Sequence, residues 1–374
     1  MIISDRIYKN IEITGPEERL FEFPSFTRLR YVSQSNNSFF SPTSNTPTRL
    51  EHSLGVYYLA KVLSDKKDFR EVSLYLRFAA LLHDLGHPPF GHASEPILEE
   101  ITGMDHEEFS GYVIESSGIG SYMRTLGLEP ARLTDLISGK EKPFGDLFNG
   151  SIDLDNLDNI IRWGTAVGLD LDKYYDPIKI ANSFSVMGGK LTLGKESVPE
   201  VEHWLKARHA VYSAIDEGEI KSVDMMVRKA LAYAALRGDI KKDFFLLTDY
   251  EAMVFLKNSN NSSKKIIESL ESCNVYKKVY KEKIDPEIGK NIRGWRKFFE
   301  ISNAVARKLG IAEGSLMIHV APYKGSRIIH LPVKDSPDIV FGNEVAEYWD
   351  MVIISAEDVI IKQEMLNDIL KDWA

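Results

Sequence analysis

The sequence predicts a mainly α-helical protein with a small α+β part at its C-terminal end. Three observations lead there. Apolar residues recur at helical spacing through most of the first 238 residues. Start and stop signals bracket those runs: Thr48 with Glu51 forms a capping box, and Gly86, Pro88 and Pro89 close a run from about Val72 to His83. Beyond Asp239 short β-like alternations take over. The expected division is a helical domain over 1–238 and an α+β subdomain over 239–374.

Composition narrows the class. A chain of 374 residues that is 44% hydrophobic can build a large core. Its formal net charge of -9 argues against a nonspecific nucleic-acid coat, while leaving room for a local basic groove. The single cysteine, Cys273, excludes an internal disulfide framework or a thiolate zinc cluster and fits a reducing cytoplasm. The N-terminal stretch mixes charges with no apolar block, so neither a signal peptide nor an anchor is expected. No window approaches the roughly 18 apolar residues of a membrane span. A cytoplasmic protein with no membrane partner is the expectation.

Taken in order, Ile2 to Thr14 read as an extended segment or hairpin closed by Gly15-Pro16. A helical pattern flanks Pro24, and a polar loop from Ser33 to Pro47 carries Gln34, Phe39 and Phe40. The helix that starts at Thr48 has apolar residues on two faces, so His52 points into protein. The next helix is apolar almost all round and leaves His83 and Asp84 at its end, with His87 and His92 on the following loop. Helical patterns return from Ser94 to Ser117, interrupted near Gly103, and then over Leu154 to Ile161, Val201 to Ile215 and Ser222 to Leu236. In the last third, SLMIHVAPYKG and RIIHLPVKD read as strands paired about a Tyr-Lys-Gly turn, and MVIISAEDV as another.

Four of the nine histidines fall between Thr48 and Glu95. An imidazole or carboxylate buried in such helices is costly unless hydrogen-bonded, ion-paired or metal-bound. A divalent cation would compensate His83 and Asp84 together.

Three segments then stand in order: Arg49-x-x-Glu51-His52-Ser-Leu-Gly-Val, His83-Asp84-Leu-Gly-His87-x-Pro-Phe-Gly-His92, and Ile152-Asp-x-Asp155-x-x-Asp158. This series resembles the HD-domain phosphohydrolases, and within them the deoxynucleoside triphosphate triphosphohydrolases. The resemblance covers roughly Phe21 to Leu236 and implies an HD core of stacked helices. By it, His52, His83, Asp84 and Asp155 would ligate a divalent cation. The mixed N/O set suits manganese, iron, zinc, nickel or magnesium. Such an ion polarises a phosphoryl oxygen and lowers the pKa of bound water. The resemblance further assigns Arg49 to the α-phosphate, Gln34 to the sugar, and His87 and His92 to the phosphate pocket. It also places Glu95 beside the His106-Glu107-x-x-Ser110 segment, giving a catalytic dyad of His106 with Glu95 and a catalytic role to Asp84.

The sequence departs from the family where a cation, a tyrosine and a sugar-binding acid usually stand: here Asn156, Asn159 and Trp163. Asp153 and Asp158 read as a helix N-terminal charge and a partner of Arg162 rather than ligands. His203, His209, His319 and His330 read as structural. The basic stretch from Lys277 to Lys297 reads as a solvated face, with a nucleotide-effector or nucleic-acid site as its functional option. The leading expectation is cleavage of a dNTP to deoxynucleoside and tripolyphosphate. Its alternatives are a nucleotide phosphomonoesterase or phosphodiesterase on the same metal core, and a non-catalytic nucleotide-binding or nucleic-acid-binding module. The resemblance also implies a homo-oligomer.

Overall fold

The helix Arg49–Ser64 begins where its capping box predicts, with Thr48 Oγ1 accepting the Glu51 N–H at 3.2 Å and Glu51 Oε2 accepting the Thr48 N–H at 2.7 Å. In this computed structural model the described residues are 1–34, 40, 46–170, 175–322, 328–334, 336, 338–341 and 349–371. Ser73–Leu82 packs along the first helix, and Leu54, Leu59, Leu63, Leu76 and Phe78 are buried. Each such side chain contributes about 1.5–3 kcal/mol on leaving water. Leu154–Ala166 lies across the same helix and carries Val198–Glu217 on its other side. Ile220–Leu236 follows, packed against Asn261–Glu271, and Asp249–Ser259 completes that layer.

The protein is mainly α, an HD-type helical core with a small α+β region toward its C-terminus. The N-terminal hairpin pairs Ile2–Asp5 with Lys9–Glu12, as expected. The C-terminal pairing differs from expectation. Leu316–Pro322 pairs antiparallel with Trp349–Ser355, whose other edge takes Lys277–Ile284, while Ile329–Leu331 pairs with Ile339–Phe341. Trp349–Ser355 is buried at every position, so it takes the centre of the sheet and the charge-alternating Lys277–Ile284 takes an edge. The expected Tyr-Lys-Gly turn at 323–325 lies outside the described residues, as does Phe39. The helix Trp295–Leu309 packs on the sheet. No helix of the described residues is long and apolar enough to cross a membrane.

Candidate functional site

Two turns and one helix start bring the histidines together. His83 caps the end of Ser73–Leu82, where Gly86 must run close to the next segment: a Cβ there would lie 2.2 Å from the Ser110 nitrogen. Ser110, on the helix His106–Ser116, locks this approach. Its Oγ donates to the His83 carbonyl at 2.9 Å and accepts the Gly86 N–H at 2.8 Å. That helix starts at His106 because Asp105 and Glu108 form a capping box. Glu95 opens the helix Glu95–Thr102, where the N-terminal dipole favours a carboxylate.

His52 and His83 bring their Nε2 atoms to 3.3 Å. His52 Nδ1 meets Asp158 Oδ2 at 2.7 Å, and His83 Nδ1 meets the Ala80 carbonyl at 2.9 Å. Acceptors on both Nδ1 atoms favour a proton on each and leave the two Nε2 atoms facing one another. Asp155 Oδ1 stands 2.8 Å from His52 Nε2. Burial alone would lower the His52 pKa, but Asp155 and Asp158 hold it up at about 10. The ligating atoms of His52, His83 and Asp155 all lie within 4.8 Å of one another, and this donor set fits the implied metal.

Asp84 lies at the rim of that trio. Its Oδ2 accepts from Arg49 Nη1 at 2.7 Å and its Oδ1 is 3.1 Å from His87 Nε2, while His83 Nε2 is 3.5 Å and His52 Nε2 3.9 Å away. Burial would raise its pKa, but Arg49, His83 and His87 hold the carboxyl well below the usual range. It is an anion within reach of both imidazoles.

The second group forms around Glu95. One of its oxygens is 2.8 Å from His92 Nδ1, and Oε1 is 3.1 Å from His106 Nδ1. The expected His106–Glu95 pair is therefore present, with His92 as a second imidazole on the same carboxylate. His87 and His106 stack at 4.2 Å between centroids. Two stacked rings do not both hold a charge readily, and the pair resolves in opposite directions. Burial, Arg49 and His106 push His87 well below the usual histidine range, whereas Glu95 outweighs burial and raises His106 to about 8. His87, Glu95 and His106 also have the spacing to hold a cation.

Both groups line one cleft of about 1060 Å³, together with Arg49, Gln34 and His92. Gln34 Nε2 donates to Asn159 Oδ1 at 2.9 Å, and Trp163 packs edge-on to Tyr212. Asn156 is held by Asp153 and Arg208. The far wall brings Tyr212, Lys221, Arg228, Trp295 and Phe298. Of the basic 277–297 stretch, Arg293 reaches this wall, Lys277 pairs with Asp358 and Arg296 with Glu100. Asp153 caps the helix Leu154–Ala166, accepting the Asn156 N–H at 2.7 Å, as its reading from sequence implied.

Three contributors escaped the sequence reading. Asp158 does pair with Arg162, at 2.8 Å, but it also fixes the His52 ring. Its i,i+3 spacing from Asp155 was the available signal. Arg28 and Asp249, which grip the loop between His83 and His92, carry no local signal.

Comparison with known proteins agrees with this architecture. Residues 49–126 match the HD domain model and residues 175–348 the HD associated region. The chain is 29% identical over 287 residues to an uncharacterised protein of Methanocaldococcus jannaschii, covering 74% of this chain and 59% of that one. It is 33% identical over 160 residues to the deoxynucleoside triphosphate triphosphohydrolase of Bos taurus, covering 38% and 27% respectively. Against a Dictyostelium discoideum homolog of that enzyme it is 24% identical over 319 residues, covering 74% and 60%. The chain thus spans less than two thirds of each of these relatives. With an HD domain, an HD associated region and the histidine–aspartate cluster in place, the chain belongs to the HD-domain superfamily, on the side that resembles the deoxynucleoside triphosphate triphosphohydrolases.

Proposed function

We propose that the protein is a metal-dependent phosphohydrolase that splits a deoxynucleoside triphosphate at its α-phosphate into deoxynucleoside and tripolyphosphate. The observation that carries this reading is the pair of opposed Nε2 atoms with Asp155, set in one cleft with Arg49 and the Glu95-bound imidazoles. Together with Asp84 these residues would hold a divalent cation, which when bound polarises a phosphoryl oxygen and lowers the pKa of attacking water. The chain's own groups do the rest. Arg49 keeps its guanidinium fixed on Asp84 and has a buried Nε with no hydrogen-bond partner among the described residues, a donor left for a phosphoryl oxygen. His106, raised to about 8, held through Nδ1 and lining the cleft, would protonate the leaving oxygen. His92, on the same carboxylate but half-exposed, lines the phosphate pocket. Gln34 and Asn159 would hold the sugar edge. A nucleotide substrate, a homo-oligomeric assembly and the division near residue 238 remain part of this reading.

A second reading, a nucleotide phosphomonoesterase, is favoured by the pairing of two of the cleft's cations with carboxylates, Arg49 with Asp84 and Arg228 with Asp224. Incubation with manganese and a panel of dNTPs, NTPs and NMPs, resolved by anion exchange, decides between them. Tripolyphosphate released by the wild type and not by His83→Ala supports the triphosphohydrolase. Orthophosphate alone selects the monoesterase, and no turnover rejects both.

A further inference from the structure

The loop from His83 to His92 carries His87 and His92, which stand against the Glu95–His106 pair, and one of its residues has an unusual backbone conformation. Phe90 sits at φ 62, a left-handed conformation that a phenylalanine adopts only when its surroundings impose it. The constraint comes from far along the chain. Asp249, 1% exposed, opens the helix Asp249–Ser259 and uses both carboxylate oxygens on backbone amides of the site: Oδ1 accepts the Phe90 N–H at 2.8 Å and Oδ2 accepts the Ser33 N–H at 2.8 Å. Arg28 closes the other side. Its Nη2 donates to the Leu85 and His87 carbonyls at 3.0 and 2.9 Å, and its Nη1 to the Leu247 carbonyl at 2.9 Å.

The two segments that Asp249 joins have different duties. Ser33 precedes Gln34, whose own N–H is held by the Pro47 carbonyl at 3.0 Å at the entry to the helix of Arg49 and His52. Phe90 lies between His87 and the His92–Glu95 pair. One buried carboxylate therefore ties the Gln34 segment to the loop that carries His87 and His92. Each of its bonds is charge-assisted and out of water, where such bonds are strong and specific in direction.

We propose that Asp249 and Arg28 are positioning residues for hydrolysis: Asp249 sets the register between the Gln34 segment and the His87–His92 loop, and Arg28 sets the loop alone. This rests on the reading of the site given above, although the coupling itself is a property of the fold. A displacement near 1 Å of a catalytic group costs about 10²-fold in rate. Asp249→Ala is expected to lower kcat at least tenfold and to raise KM severalfold. Arg28→Lys, which keeps the charge but loses the fork on Leu85 and His87, lowers kcat at least tenfold and leaves KM within twofold. The rise in KM of Asp249→Ala is one a general loss of folded protein would not give; for Arg28→Lys, whose KM holds, the exchange pattern below makes that distinction.

Hydrogen exchange read by mass spectrometry on the full chain tests the coupling without activity. In the wild type, peptides covering 29–34 and 85–95 are both protected. Asp249→Ala speeds exchange in both at least tenfold and leaves the helix Leu154–Ala166 unchanged, Asp249→Asn restores one of the two, and Arg28→Lys loosens only the second. If Asp249→Ala does not fold, Asp249→Asn and Arg28→Lys decide. Kinetics and exchange both unchanged in folded variants, or exchange faster throughout the protein, overturn the proposal. Should the wild type hydrolyse no nucleotide while the exchange pattern holds, the functional reading fails and the coupling stands.

Discussion

His52 and His83 face each other through Nε2 atoms 3.3 Å apart, each ring already committed at Nδ1. Asp155 Oδ1 stands 2.8 Å from the same His52 Nε2, so two imidazoles and a carboxylate converge on one point, and against burial Asp155 with Asp158 raises the His52 pKa to about 10. Metal binding at pH 8 is expected to release a proton. Calorimetric titration with manganese in buffers of different ionisation enthalpy measures it; uptake without proton release would contradict the arrangement. Chelation is expected to abolish activity, and re-addition of the metal to restore it.

Asp158 is fully buried between His52 and Arg162, and burial would raise its pKa were it not for these two, which hold it at about 2. Asp158→Asn weakens metal affinity about 10–100-fold, because the ring loses the acceptor that fixes its tautomer. It also leaves Arg162 with Asp5 as its remaining carboxylate and costs roughly 3–5 kcal/mol in urea denaturation. A variant with wild-type affinity would remove Asp158 from the centre.

His106 sets a pH limit. Raised from the usual 6.5 to about 8, it holds the proton that a leaving oxygen requires at neutral pH. The rate at saturating substrate is expected to fall as pH rises through about 8, and His106→Gln to lower kcat about 10²–10⁴-fold and erase that limb. The same ring favours the fold: its contribution is fully present below 6.5 and lost as pH rises through 8. A flat profile from pH 7 to 9.5 would count against the assignment.

Lys229 behaves oppositely. Its ammonium is buried on Asn303 and over the Phe299 ring, and burial lowers it to about 7. A lysine whose folded pKa lies below its unfolded 10.5 imposes its full penalty under pH 7 and is relieved as pH rises toward 10.5. Lys229→Met is expected to be more stable than the wild type at pH 6, by an amount on the order of a few kcal/mol. The advantage should fade by pH 10, as chemical denaturation at the two pH values would register.

Gly55 leaves no room for a side chain: a Cβ would stand 1.8 Å from Asp158 Oδ1 and 2.5 Å from Arg162 Nη2. Gly55→Ala is expected to cost about 1–3 kcal/mol or more and to lower metal occupancy as Asp158 is displaced. Normal occupancy in a folded variant would show that this contact yields freely.

Much of the centre was legible because its chemistry sits in short motifs. His52, His83 and Asp155 stand in patterned segments, and burying such groups in apolar helices requires compensation. The pairing of Glu95 with His106 was expected only from the family resemblance of the His106-Glu107-x-x-Ser110 segment; that His92 shares the carboxylate depends on the rotation of a short loop. The sheet was less so. Its central strand Trp349–Ser355 joins partners that begin at Lys277 and Leu316, and local alternation says nothing about which distant strand will pair. Arg28 and Asp249 act on backbone atoms, whose hydrogen bonds leave no trace in side-chain pattern.

The reach of Asp249 also orders events during synthesis. Its two bonds span 216 and 159 residues, to Ser33 and Phe90. Contacts so distant form after local helices, since the intervening chain must first be closed into a loop. The helices that bear His52, His83 and Asp155 emerge earlier from the ribosome and can collapse on one another, but the loop between His83 and His92 acquires its last anchor only when the helix Asp249–Ser259 arrives. A nascent chain would thus carry its histidines long before Asp249 can tie their loop to Ser33.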